Sequence, residues 1–171
     1  KTPIVVNDKR GFYTSRVFAT YVMEGLAMLS EGVHPRSIEV AGLKAGMPMP
    51  PLALQDEVSL SLSLYIAEQT RKDLAAEGIT LPVHPGFAVV QKIGGEKDRI
   101  GKKSGKGFYD YTGKDKALWP GLLEVYPPKA DQPSQQELVD RLLFAQANEA
   151  ARCFEENVVR SVADTNIGSI F

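Results

Sequence analysis

From Phe12 to Glu31 the apolar side chains recur every three or four residues. Phe18, Val22, Gly25 and Leu29 lie on one line, with Val17, Tyr21 and Met28 beside it. That spacing is one face of an α-helix, and Gly32 just beyond it suits the left-handed residue that ends one. Pro35 then predicts a first helical position with His34 at the cap, and Ile38, Ala41 and Leu43 give a short second helix stopped by Gly46. Pro48, Pro50 and Pro51 force an extended loop, because each fixes its own φ and pushes its predecessor out of the helical region. A third helix follows from Leu52 to Val58. A fourth, capped by Ser59 or Ser61, runs through Leu64, Ile66 and Leu74 to Gly78, and a fifth spans Pro85 to Ile93. Before all of these, Ile4, Val5 and Val6 between Pro3 and Asn7-Asp8 predict an extended edge segment and not a core strand.

After Gly94-Gly95 the periodicity stops. Residues 97–111 are rich in Gly and Lys and end in Phe108-Tyr-Asp-Tyr111, whose aromatic rings are expected to fold back onto the helices and close a first module, residues 1–111. Residues 112–133 carry Gly113, Pro120, Gly121, Pro127, Pro128 and Pro133, a connector with little regular structure of its own. Trp119 and Tyr126 are expected to pin it to the helices. Ser134-Gln-Gln-Glu137 is a capping box that opens a long helix with Leu143, Ala147, Ala150 and Phe154 on one stripe, and Ser161-Val-Ala-Asp164 caps a short last one. Residues 134–171 thus form a second, incomplete module. It cannot bury the Leu143/Phe154 stripe by itself, and the first module is the expected partner.

Three motifs bear on function. They are Gly11-Phe-Tyr-Thr-Ser-Arg16 at a helix entrance, Gly46-Met-Pro-Met-Pro-Pro-Leu-Ala-Leu-Gln-Asp-Glu57, and Gly101-Lys-Lys-Ser-Gly-Lys-Gly-Phe-Tyr-Asp-Tyr111. In this order they resemble the C-terminal helical domain of 3-hydroxyacyl-CoA dehydrogenases. Residues 136–171, with Arg141-Leu-Leu-Phe144 and Asn148-Glu-Ala-Ala-Arg-Cys-Phe-Glu-Glu156, resemble the opening of a second copy, as in the multifunctional fatty-acid oxidation proteins of the trifunctional-enzyme alpha type. The resemblance implies an all-α fold, like the C-terminal domain of 6-phosphogluconate dehydrogenase, with a partial second copy. It also implies oxidation of 3-hydroxyacyl-CoA to 3-ketoacyl-CoA in fatty-acid β-oxidation. The NAD that takes the hydride would be bound by a domain missing from this chain, which by itself is expected to be inactive. Helical-domain pairing or homo-oligomerisation is the implied assembly. The other reading is a purely structural helical docking module of a multifunctional complex.

The same resemblance places Ser15 where many members carry a polar residue, often Asn, that reaches the substrate. A hydroxyl can orient a 3-oxo or 3-hydroxy group through one hydrogen bond, though it cannot donate and accept at the fixed spacing of an amide. Alternatively Thr14 and Ser15 only satisfy the first-turn N–H groups. Met47 and Met49, on a proline-stiffened loop, could wall an acyl chain or plug the core between helices. Lys97, Arg99, Lys102, Lys103 and Lys106 could meet coenzyme A phosphates, but Glu96, Asp98 and Asp110 are interleaved, which is the pattern of a solvated loop. Asp56 and Glu57, adjacent and so about 100° apart on a helix, cannot face one another as an acid/base pair and are expected at the surface.

Composition removes other classes. The 171 residues are 43% hydrophobic and 24% charged, with a net charge of -1 and a pI near 6.2, an ordinary globular balance with no electrostatic footprint for nucleic acid. No apolar run reaches the about 20 residues of a membrane helix, and the expected compartment is the cytoplasm. The one cysteine, Cys153, excludes an internal disulfide and reads as a small buried side chain in a reducing compartment. His34 and His84 each precede a proline with no metal-ligand spacing nearby. Gly101-Lys-Lys-Ser-Gly-Lys-Gly107 has the wrong glycine spacing for a phosphate loop, and no Gly-x-Gly-x-x-Gly follows a strand, so no dinucleotide fold is expected.

Overall fold

The computed structural model describes residues 3–80 and 82–170. Lys1, Thr2, Leu81 and Phe171 lie outside them, and with them the outermost residues of both expected modules. The first helix, α1 (Thr14–Ser30), is the axis of the molecule. Tyr21, Val22, Leu26, Met28 and Leu29 along it are fully or nearly fully buried, and each such side chain removed from water contributes about 2 kcal/mol. Around it pack α2 (Pro35–Lys44), α3 (Pro51–Val58), α5 (Pro85–Val90) and α7 (Gln135–Glu155). The close crossing of α1 and α3 depends on Gly25, where a Cβ would stand 2.5 Å from Pro51 Cβ.

The proline and cap signals hold. His34 Nδ1 accepts from the Arg36 amide at 3.1 Å and His84 Nδ1 from the Gly86 amide at 3.2 Å, so each histidine is a helix cap followed by its proline. Ser134 Oγ accepts from the Glu137 amide at 3.2 Å at the start of α7. Ser161 Oγ accepts from the Asp164 amide at 3.0 Å before α8 (Val162–Ile170). Ser59 stands at the N-cap of α4 (Leu60–Ala76) but caps nothing: its hydroxyl donates to Ile100 O at 3.1 Å. The fifth helix also departs from expectation. It ends as α-helix at Val90 and widens into a π-turn over Gln91–Glu96, because Gly94 lets the Leu60 side chain sit against its backbone, 2.8 Å from where a Cβ would be.

The region read as a connector with little regular structure carries a strand and a short helix. Strand β1 (Tyr109–Thr112) pairs antiparallel with β2 (Asp115–Leu118) across a turn at Gly113, and α6 (Leu122–Val125) follows. Trp119 and Tyr126 do pin it, packing on the main core, with the Arg99 guanidinium 4.2 Å from the Trp119 ring and Lys92 Nζ 5.4 Å from that of Tyr126. The hairpin does not change the class. Among the described residues it is the only sheet, and the fold is all-α.

The second set of helices meets the first by an unexpected face. Leu138, Val139 and Leu142 of α7 enter the main core against α1 and α2, and Cys153 joins Tyr13, Val158 and Val159 in a smaller one. Leu143 and Phe154, expected to meet the first module, are exposed instead. The reason is geometric: Leu142 and Leu143 lie about 100° apart on the helix, and Leu142 takes the inward place. Residues 4–7 form the edge segment expected, with Val6 bridging Val159 and the Asn7 amide donating to Val158 O at 2.8 Å.

Candidate functional site

The entrance to α1 is a rigid turn around a free hydroxyl. Gly11 and Phe12 have φ of 78° and 49°, and the Phe12 amide donates to Lys9 O at 2.9 Å. This tight turn leaves the Phe12 ring 51% exposed. Tyr13 is buried, and its hydroxyl reaches α8, donating to Thr165 O at 3.1 Å and lying 2.6 Å from Ser169 Oγ. Arg16 Nε donates to Glu149 Oε1 at 2.6 Å and Nη1 to Glu156 Oε2 at 2.6 Å. Those bonds, Glu156 first, hold the guanidinium charged well above its ordinary pKa. Between these anchors stands Ser15. Its side chain is exposed and has no hydrogen-bond partner among the described residues. The helix cap is Tyr13, with no side-chain capping bond, so neither Thr14 nor Ser15 does the capping work that was the alternative for them.

Met47 and Met49 are half-buried against the main core, and Tyr21 donates its hydroxyl to Met49 O at 3.0 Å. They fit the core-filling alternative.

A second polar cluster was not visible in the sequence. Asp56, expected at the surface, is 1% exposed. Its carboxylate accepts from the Phe108 amide at 2.8 Å, the Tyr109 amide at 2.9 Å and the Tyr111 hydroxyl at 3.0 Å. Glu39 is also buried, accepting from the Leu52 amide at 2.8 Å and from the Tyr109 hydroxyl. Burial pushes Glu39 up to about 7 and Asp56 up to about 6, against the donors that pull both down, and burial beside these carboxylates raises Tyr109 and Tyr111. The Gly-Lys-Gly-Phe-Tyr-Asp-Tyr motif is thereby explained as a fastening. Two helix-borne carboxylates grip its backbone and rings.

Arg99 completes the fastening from the other side, and it departs from the solvated-loop expectation. It is buried, donating from Nε to Gly107 O at 2.7 Å and from Nη2 to Tyr109 O at 3.2 Å and to Asp110. The remaining cations follow the expectation: Lys102 pairs with Glu57 at 2.7 Å and Lys106 with Asp98 at 2.9 Å, all four exposed. Among the described residues no group of three or more His, Cys, Asp or Glu side chains could hold a metal ion. No helix there is long and apolar enough to cross a membrane.

The described residues do not fit a dinucleotide. They contain no parallel sheet and no glycine-rich strand-to-helix turn on which a pyrophosphate could rest. The polar groups that sequence reasoning missed are the buried ones, Glu39, Asp56 and Arg99, and two arginine forks: that of Arg16, and that of Arg141 on α7, which binds Glu24 at 2.7 Å and Glu31 at 2.6 Å. For the forks a signal did exist: Arg16, Glu24 and Glu31 are spaced as Arg141, Glu149 and Glu156 are.

The same fold occurs in the crystal structure of the dehydrogenase part of multifunctional enzyme 1 from C. elegans. It superposes with a TM-score of 0.65 at 21% identity, covering 99% of this chain and 37% of that one. The present chain therefore spans well under half of that relative. The family model described as 3-hydroxyacyl-CoA dehydrogenase, C-terminal domain, matches residues 11–111, which hold the α1 entrance, the Met-Pro loop, and both the carboxylates and the motif they grip. With more than half of its length matched, the chain belongs to the 3-hydroxyacyl-CoA dehydrogenase C-terminal domain family.

Proposed function

We propose that this chain is the helical part of an NAD-dependent 3-hydroxyacyl-CoA dehydrogenase of fatty-acid β-oxidation, acting in the cytoplasm and oxidising 3-hydroxyacyl-CoA to 3-ketoacyl-CoA. In this reading NAD is held by a nucleotide-binding domain outside these residues. The observation that carries it is the unpaired Ser15 hydroxyl on a turn fixed on both sides by Tyr13 and Arg16. A polar group held at one place and left without an internal partner is what orienting a substrate oxygen requires. Ser15 would hold the 3-oxygen in place, and the exposed Phe12 ring beside it would shield that face from water. Met47 and Met49 would act on the acyl chain only through the shape of the proline-stiffened loop that carries them.

The test is turnover of acetoacetyl-CoA by the complete dehydrogenase carrying Ser15→Ala. Loss of one neutral hydrogen bond lowers kcat/KM about 3- to 10-fold. An unchanged kcat/KM would remove Ser15 from the site.

The second reading, a structural docking module, is favoured by one observation: Leu143, Phe144 and Phe154 of α7 remain exposed. It is separated from the first by the same assay, since a docking module that does not touch substrate leaves kcat/KM of the complete protein unchanged on Ser15→Ala.

A further inference from the structure

Local bonds alone do not hold the α1 entrance in shape. Gly11 and Phe12 are both left-handed, at φ of 78° and 49°, a conformation that a phenylalanine keeps only where its surroundings impose it. Upstream, Asn7 Nδ2 donates to Asn157 O at 2.7 Å, and downstream Arg16 is held by Glu149 and Glu156. Between these anchors the one buried side chain is Tyr13, 1% exposed. Its ring lies in the smaller core with Cys153, Val158 and Val159. Its hydroxyl leaves that core for α8, where it meets Thr165 O at 3.1 Å and Ser169 Oγ at 2.6 Å, and Ser169 Oγ itself donates to Thr165 O at 2.9 Å.

Two features set this contact apart from packing alone. A Cβ on Gly168 would lie 2.6 Å from Ile4 Cδ1 and 3.0 Å from Tyr13 Cε1, at a helical position with no positive φ to require a glycine, so it is the close approach of α8 to the entrance that requires it. The shift along the chain that carries Arg16, Glu24 and Glu31 onto Arg141, Glu149 and Glu156 carries Tyr13 onto Leu138, which is equally buried and has no hydroxyl. An apolar side chain therefore satisfies the packing at this place on a helix. The hydroxyl of Tyr13 adds direction, because hydrogen bonds fix a distance and an angle that apolar contact leaves free.

We propose that α8 is a clamp on the α1 entrance, and that Tyr13, through its hydroxyl bonds to Thr165 and Ser169, is the positioning residue that sets where the Ser15 hydroxyl stands. Its effect on the reaction rests on the dehydrogenase reading; the clamp itself rests on the contacts of this chain. Tyr13 passes the position of α8 into the first turn of α1: its own carbonyl accepts from the Val17 amide at 3.1 Å, and Ser15 lies between the two residues.

Tyr13→Phe tests it, since it removes the hydroxyl and keeps the ring. No buried group is orphaned, because Ser169 still donates to Thr165 O, so the fold persists. In this chain the amides of Phe12 and Val17, bonded to Lys9 O and Tyr13 O, should exchange with deuterium about tenfold faster, while that of Val33, bonded to Met28 O beyond the far end of α1, exchanges as before. Gly168→Ala, which presses on the same contact from α8, should raise exchange at the same two amides. In the complete dehydrogenase Tyr13→Phe should lower kcat about 3- to 10-fold at unchanged KM, and should lower it no further in a Ser15→Ala background. Unchanged exchange at Phe12 and Val17 in both variants would overturn the clamp. An unchanged kcat, or an equal loss with and without the Ser15 hydroxyl, would overturn the positioning role, since a purely structural tyrosine lowers both alike. If Ser15→Ala alone leaves kcat/KM unchanged, the dehydrogenase reading falls, and the exchange rates still decide the clamp.

Discussion

Gly107→Ala measures how firmly the fastening holds the module closed. A Cβ built on Gly107 would lie 2.0 Å from Asp56 Oδ1, 2.3 Å from Cγ and 2.5 Å from Oδ2. Real Cβ contacts essentially never fall below 3.0 Å, so the carboxylate must retreat by about 1 Å. It cannot do so cheaply, because three donors hold it: the Phe108 amide, the Tyr109 amide and the Tyr111 hydroxyl. Two of the donors are buried main-chain groups with no water to turn to. At about 1–2 kcal/mol for each of the three hydrogen bonds lost, the substitution should destabilise the chain by about 3–6 kcal/mol in urea unfolding. Gly113→Ala is the comparison, since nothing lies within 4 Å of that Cβ and only its φ of 65° opposes it, a cost of about 1–2 kcal/mol. The decisive measurement is the double variant. Asp56→Ala removes the atoms Gly107→Ala collides with, so the pair should cost little more than Asp56→Ala alone. Strictly additive costs, or a Gly107→Ala effect no larger than that of Gly113→Ala, would show that the carboxylate does not grip the motif.

The same carboxylates set the pH response. Folding raises Glu39 from 4.5 to about 7 and Asp56 from 3.8 to about 6, so between about pH 4 and 7 the folded chain keeps protons that the unfolded chain has released. Stability therefore falls as pH rises through that window and is flat above it, by about 2–3 kcal/mol for Glu39 as an upper figure. Urea midpoints at pH 5 and pH 8 should differ in that direction for the wild type and less for Glu39→Gln, and a midpoint that rises with pH would contradict the assignment. Glu31 and Glu156, lowered chiefly by their bonds to Arg141 and Arg16, act in the opposite sense and only below about pH 4.5, so they leave the window intact. Arg16→Met should cost about 1–2 kcal/mol, because Glu149, whose side chain is only 11% exposed, loses its 2.6 Å partner and keeps only Arg152 at 3.5 Å. Adding Glu149→Gln should restore part of that loss, and no recovery in the double variant would mean that the pair is not what Arg16 contributes.

The helices were legible in the sequence because their signals are local. The apolar line of α1, the His-Pro pairs that start α2 and α5, and the Ser134 cap each specify structure within about one turn, and each is found where expected. The hairpin of residues 109–118 was missed for the same reason in reverse. Gly113 and the prolines that follow read as breaks in helix, while β1 and β2 are short and their register rests on β1 being clamped by distant groups, which no local pattern reports.

Candidate-site residues divide along the same line. Ser15 could be singled out from the sequence because its setting, a Gly-Phe turn entering a helix, is contiguous, and the turn is found there with φ of 78° at Gly11 and 49° at Phe12. Asp56, Glu39 and Arg99 were placed wrongly or passed over because a charged side chain reads as surface unless its partners are known, and the partners of Asp56 lie more than fifty residues away. Two facts in the sequence did carry the information. A glycine directly before Phe108-Tyr-Asp-Tyr111, at a position with no unusual φ to require one, signals a close approach by something rigid. The repeated arginine-to-glutamate spacing in both halves signals two helices that face each other across a two-fold axis. Each is a long-range contact written as a local oddity, and read together they place the α1 entrance, and with it Ser15, on a frame fixed by charge from one side and by buried hydrogen bonds from the other.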